Sequence, residues 1–289
     1  MPNFQDSYSY NKQASSIGQL IQQGSKFLYS HNIVNAQNEI EWYFQKLYSC
    51  NKINLYAMKE NGICDSSYKK VCFFLNQRIK KVPFQHLIGE APFYGRDYLV
   101  TPDTLIPRPE SELLIQLIQA EHYGGRLLDI GTGTGCLAIT AQLQGIASMI
   151  DAIDINEKSI EIAKMNNNNF RTNINFFIMD IFIEHPNYQY DIILSNPPYI
   201  SNEEYQCLNE EIRIHEPAHS LTDFKDGYSF YRQYSTILDK ILKKGGVAIF
   251  ELSHFFKKSD IINIFKNFPN LSFYKDLNGD NRAIKIIND

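Results

Sequence analysis

From residue 125 onward the chain alternates short apolar runs with helical patterns, and this alternation limits the fold more than any other feature. Strands are expected at Arg126–Ile130, Met149–Ile153, Asn175–Asp180 and Asp191–Leu194, with helices starting near Gly135 and Glu157. A helix over Tyr228–Leu242, a strand at Gly246–Glu251, another helix and two late strands complete the pattern. Strands separated by helices are joined by crossovers, which makes a mostly parallel sheet covered by helices on both faces. No internal repeat is visible.

The first third reads differently. Ile17, Leu20, Ile21 and Leu28 fit one helical face, Ile40, Tyr43, Phe44 and Leu47 a second, and Tyr68, Val71, Phe74, Leu75 and Ile79 a third. Asp65 is placed to cap the last of these. The texture changes at Phe84 to short apolar runs broken by Gly89-Glu90, Gly95-Arg96 and Pro102-Asp103, as in a hairpin. A helix is expected from Pro109-Glu110-Ser111-Glu112, since Pro is tolerated in a first turn and acids are favoured there. The expected division is a helical domain over 1–83, a hairpin linker over 84–108 and an α/β domain over 109–289. The polar start, MPNFQDSYSYNKQASS, has no apolar core of a secretory signal and reads as a loose arm. Asn166–Asn169 reads as a polar helix end.

Charge is divided unequally. Residues 1–85 carry 10 Lys and Arg against 5 Asp and Glu, whereas residues 86–289 carry 18 against 27. An acidic α/β region argues against a stable nucleic-acid partner. The basic helical third suits an acidic partner, although scattered surface lysines account for it nearly as well. No run approaches the roughly 20 apolar residues of a membrane span. The five cysteines, Cys50, Cys64, Cys72, Cys136 and Cys207, form no C-x-x-C pair and are expected as reduced, buried thiols of a cytoplasmic protein. A monomer is the expected state.

Leu127–Ile130 runs into Gly131-Thr132-Gly133-Thr134-Gly135, where glycine lets the backbone approach a ligand and take angles that a Cβ forbids. The G-x-G-x-G spacing differs from the G-x-G-x-x-G of pyrophosphate binders and favours a nucleoside without one. Asp154 ends the second strand, where a carboxylate can accept from both ribose hydroxyls or can simply cap the helix from Glu157. Asp180, at the third strand tip, has the same two readings, as an adenine neighbour or as a turn cap.

The fourth strand runs straight into Asn196-Pro197-Pro198-Tyr199. An amide nitrogen is a poor nucleophile because its lone pair is delocalised into the carbonyl. Acceptors that hold its N–H hydrogens can aim it at an activated methyl group. Asn196 offers a side-chain carbonyl, Pro197 a backbone carbonyl with no competing donor, and Tyr199 a flat face. The acceptor implied is a planar amide or amine nitrogen.

On these residues the chain resembles the HemK/PrmC family, protein-(glutamine-N5) methyltransferases of class I peptide chain release factors. The resemblance also takes in the N-terminal helices, Thr104–Glu110 with Glu112, Glu216-Pro217 and Asp280-Asn281-Arg282. It implies a class I (Rossmann-like) methyltransferase fold with a seven-stranded mostly parallel sheet. It further implies S-adenosyl-L-methionine held by Gly131–Gly135, Asp154, Asp180, Ile181 and Asn196, and a glutamine of a Gly-Gly-Gln loop held by Asn196–Tyr199. Catalysis would then rest on Asn196, Pro197 and Tyr199. Two departures stand out: Ile181 where many members have an aromatic, and Glu251-Leu252-Ser253 where they have Glu-Ile-Gly.

Two other acceptors suit the same run, a glutamine of a ribosomal protein and the N6 of a flipped DNA adenine. The acidic balance disfavours the second. His215-Glu216-Pro217-Ala218-His219 spells the H-E-x-x-H of zinc proteases, but Pro217 opposes the continuous helix that motif needs, so no metal is expected.

Overall fold

A computed structural model describes residues 16–120 and 125–289, so the N-terminal arm lies outside the described residues apart from Ser16. They fall into two compact units divided between Gly89 and Glu90. The first is helical: α1 (Ile17–Ser30), α2 (Ala36–Leu47), α3 (Lys52–Ala57), α4 (Asp65–Arg78) and the single turn α5 (Phe84–Ile88). Ser16 caps α1, accepting from Gln19 N while the Gln19 side chain accepts from Ser16 N. The three expected apolar faces converge on one core, with Tyr43 stacked on Phe74 at 4.1 Å. Asp65 does not cap α4. It is the first helical residue, and Cys64 occupies the cap position. Nor are all the thiols buried: Cys64 and Cys207 are exposed, and the Ser66 and Ser67 hydroxyls lower the Cys64 thiol to about 7.

The second unit opens with a hairpin, β1 (Glu90–Phe93) and β2 (Arg96–Leu99), so pairing begins at Glu90 rather than at Phe84, which is helical. A 3₁₀ turn at Pro109–Ser111 leads into α6 (Glu112–Gln119). Then follow β3 (Arg126–Ile130), α7 (Cys136–Leu143), β4 (Met149–Asp154), α8 (Glu157–Phe170), β5 (Asn175–Ile178) and β6 (Tyr190–Ser195). Two short helices, α9 (Asn202–Gln206) and α10 (Glu210–His215), precede α11 (Ser229–Ile241), β7 (Leu242–Glu251), α12 (Lys258–Ile264), β8 (Asn270–Lys275) and β9 (Asn281–Ile287).

The seven strands β3–β9 form one sheet in the order β5-β4-β3-β6-β7-β9-β8, parallel except where β9 pairs with β7 and β8. This is the class I methyltransferase sheet. Successive strand residues feed opposite layers. Leu127, Ile192 and Val247 pack with α6 and α7, while Leu128, Ile193 and Ala248 pack with α11 and α12. Burial on both faces accounts for the continuous apolar runs.

Asn166 departs from the sequence expectation. The run Asn166–Asn169 does lie in the last turn of α8, but Asn166 itself is fully buried. Its Nδ2 donates to Leu99 O at 3.1 Å and to Thr134 O at 2.9 Å, and its Oδ1 accepts from Leu99 N at 2.8 Å. One amide thus ties the hairpin to the glycine turn. Asn166→Ala removes three hydrogen bonds and strands buried backbone groups. It is expected to lower unfolding free energy by roughly 2–4 kcal/mol, read from urea unfolding curves.

Candidate functional site

The sheet reverses strand order at β3: the chain runs outward through β4 and β5, then returns to place β6 on the other side. The carboxyl ends of β3 and β6 therefore border a crevice that no crossover covers. Ser195 Oγ donates to Ile130 O at 2.7 Å and closes the floor between these two strand ends. Above them lies a cavity of about 410 Å³.

The glycine turn forms one wall. Gly131 and Gly133 have φ of 74° and 54°, and a Cβ built on either would meet no neighbour within 4 Å, because both face the cavity. The turn is fastened at the back, where Gly131 N and Thr132 N both donate to Ile153 O. Asp129 lies beneath it, fully buried, and accepts from the Thr132 hydroxyl at 2.7 Å. Burial pushes its carboxyl up to about 7, with the charge of Asp154 adding to the rise. Thr132 and Thr134 are buried and Gly135 caps α7, so these three support the turn rather than line the cavity.

Asp154 lines the cavity and accepts from Gly133 N at 2.8 Å and Asn156 N at 2.9 Å. Burial raises its pKa, while these N–H groups and the charge of His219 pull it back. The α8 cap is Asn156, whose side chain accepts from Lys158 N, which frees Asp154 from that role. Asp180 also lines the cavity, and its Oδ1 accepts from Phe182 N at 2.9 Å, so it holds the turn after β5 as well.

Ile181 is a wall residue too, mostly buried. The aromatic surface absent at 181 comes from Phe182 and Phe230, both on the cavity and packed edge to face at 4.9 Å. Phe182 follows Ile181 directly in sequence and could have been suspected. Phe230 comes from α11 and carries no local signal; His219, also on the cavity, was noticed only as part of the H-E-x-x-H letters.

Asn196, Pro197 and Pro198 line the same cavity, whereas Tyr199 lines a second one of about 320 Å³ with Arg108, Glu110, Glu251 and Arg282. The run is thus shared by two cavities. Asn196 Nδ2 donates to Ser111 Oγ at 2.9 Å, and Tyr199 OH donates to Glu251 Oε1 at 3.0 Å. Burial, then the Glu251 charge, raises the Tyr199 phenol well above its ordinary value and keeps it a donor.

The H-E-x-x-H letters are split between two elements. His215 ends α10, and His219 sits in a 3₁₀ turn, Ala218–Ser220, beyond Pro217. Glu216 instead accepts from Ile106 N at 3.1 Å and pairs with Arg108 at 2.5 Å. No group of His, Cys, Asp and Glu that could hold a metal ion occurs among the described residues. No described helix is long and apolar enough to cross a membrane.

Comparison with known proteins shows the family. The family described as "Methyltransferase small domain" matches residues 109–223, and "PrmC N-terminal domain" matches residues 19–89. The release factor glutamine methyltransferase of Fusobacterium nucleatum is 35% identical over 267 residues, covering 90% of this chain and 75% of its own. The protein of that name from Bacillus subtilis is 35% identical over 218 residues, 70% of this chain and 74% of its own. The one from Thermodesulfovibrio yellowstonii is 31% identical over 264 residues, 89% and 92%.

The raised Asp129 carboxyl has a consequence for stability. Its neutral form is favoured in the folded protein, so its contribution is complete below the unfolded value of about 4. That contribution declines as pH rises toward the folded value of about 7. Asp129→Asn keeps an acceptor for Thr132 and removes the titration. The melting temperature of this variant is expected to fall less than that of the parent between about pH 4 and about pH 7, as scanning calorimetry would measure.

Proposed function

The chain belongs to the release factor glutamine methyltransferase family, and on that premise we propose that it methylates the side-chain amide nitrogen of the glutamine in the Gly-Gly-Gln loop of a class I release factor. The observation that carries this reading is the position of Asn196–Tyr199 between the two cavities. One is large enough for a nucleoside-sized donor. The other has room for a side chain entering from a partner protein.

The larger cavity suits S-adenosyl-L-methionine. Gly131 and Gly133 leave space where a Cβ would intrude, Asp154 offers carboxylate lone pairs to ribose hydroxyls, and Ile181, Phe182 and Phe230 offer an apolar face to a flat ring. When bound, this molecule supplies an electrophilic methyl group on a positively charged sulfur. The protein's own contribution is positioning. Asn196 Oδ1 and the Pro197 carbonyl accept the two hydrogens of the glutamine amide, which directs its nitrogen toward the larger cavity. Tyr199, held by Glu251, presents its ring to the planar amide. Holding two reactants in an attack geometry is worth up to roughly 7–11 kcal/mol of barrier. Arg108, paired with Glu216, and Glu110 stand at the smaller cavity, where the substrate loop would enter. The helical first unit, with its excess of Lys and Arg, is the proposed grip on the release factor.

Asn196→Ala is expected to lower turnover on the order of 10²–10³-fold, as loss of a preorganised polar contact does elsewhere. Asp154→Ala is expected chiefly to weaken cofactor binding, by about 10- to 100-fold in calorimetry. Mass spectrometry of a release factor after incubation with enzyme and labelled S-adenosyl-L-methionine tests the substrate. One added methyl on the glutamine of the Gly-Gly-Gln loop supports the reading; label in a ribosomal protein or in DNA overturns it.

A further inference from the structure

The Asn196 amide is held from behind by a chain of two residues that end in a buried carboxylate. Ser111, nearly fully buried in the 3₁₀ turn, accepts from Asn196 Nδ2 at 2.9 Å and donates to Glu251 Oε2 at 2.5 Å. Glu251 ends β7, has no solvent exposure, and accepts from Tyr199 OH through its other oxygen at 3.0 Å. The main chain here is fixed as well: Tyr231 OH donates to Glu251 O at 2.6 Å, and the Arg282 guanidinium donates to O of the next residue, Leu252, at 3.2 Å.

Donor and acceptor counts decide what this chain does. A serine hydroxyl has one hydrogen, and an ionised carboxylate can only accept. The Ser111 hydrogen therefore belongs to Glu251, and Ser111 can offer Asn196 only a lone pair. The NH₂ end of the Asn196 amide must turn toward Ser111, which leaves Oδ1 for the cavity. A serine with its hydrogen free could accept from the NH₂ end of the amide or donate to its oxygen. Asn196 could then present NH₂ where an incoming amide N–H needs an acceptor.

We propose that Ser111 and Glu251 are positioning residues that select which end of the Asn196 amide faces the acceptor nitrogen, an inference that rests on the function proposed above. The same carboxylate orients the Tyr199 hydroxyl, so one anion aligns both ends of the Asn196–Tyr199 run.

The device carries a pH dependence. Burial pushes the Glu251 carboxyl up to about 7, against the pull of the Ser111 and Tyr199 hydroxyls and of Arg282 from β9, with Glu110 adding to the rise. Tyr231 from α11 faces its main-chain carbonyl, and Arg108 and His254 line the adjoining cavity. Once protonated, Glu251 has a hydrogen of its own to donate, and the direction of the chain is no longer imposed. Turnover should therefore fall on the acid side of about 7.

The test uses the full-length protein with a release factor substrate and Ser111→Ala, Ser111→Thr and Glu251→Gln variants. Ser111→Ala is expected to lower kcat by about 10- to 100-fold with cofactor affinity unchanged. Ser111→Thr, which keeps the hydroxyl, should restore most of the loss. Glu251→Gln should remove the acid limb of the pH profile. Wild-type kcat in Ser111→Ala, or an unaltered acid limb in Glu251→Gln, overturns the proposal. A second readout needs no turnover: the Asn196 side-chain amide signal in ¹⁵N-labelled protein, identified by its loss in Asn196→Asp. It should move with pH through about 7 and stay still in Ser111→Ala; movement that persists in Ser111→Ala also overturns the proposal. If the wild type leaves the release factor unmethylated, the proposed function falls, and the amide signal still decides the relay.

Discussion

A parallel sheet whose strand order reverses cannot cover its own switch point, and every functional group described above depends on that constraint. Crossover helices pack on the faces of the sheet, which leaves the carboxyl ends of β3 and β6 open to solvent on their shared edge. The glycine turn follows β3, and Asn196 follows β6 directly. Their proximity follows from topology, with no long-range recognition between the segments. Ser195 then holds the two strand ends together through the Ile130 carbonyl.

What surrounds that crevice is a set of buried polar groups, and they differ in kind from the apolar core. Asn166, Glu216 and Glu251 each satisfy backbone or side-chain partners far away in sequence. In a low-dielectric interior such contacts are costly to leave unmade, so they narrow the number of arrangements a loop can adopt. Asn166 does this for the glycine turn and Glu216 for the segment at Ile106 and Arg108. Loops that would otherwise be mobile are thereby given fixed positions next to the cavities.

The strand–helix alternation was legible because apolar periodicity is a local property. The strand at Arg126–Ile130 needs only its own residues and the turn that follows. That Gly131, Asp154 and Asn196 would lie together was legible for a related reason, since each sits at a strand end and lines the same cavity. Ser111 and Glu251 were not, because their roles exist only through contacts 85 and 140 positions away. Glu251 read as the end of a strand, and Ser111 as part of a helix start. Asn166 was misread for the same reason: a run of asparagines predicts solvent, and only the approach of β2 reveals a buried site. Asp65 was misplaced by a single residue, the usual uncertainty at a helix boundary.

The Arg108–Glu216 pair has a further consequence for how such a chain can vary. Glu216 is almost wholly enclosed and divides its carboxylate between the guanidinium and Ile106 N. Losing either partner leaves the other facing an unmatched charge in a confined space. Substitution at either of these positions, 108 residues apart, is therefore expected to cost more alone than when both change together.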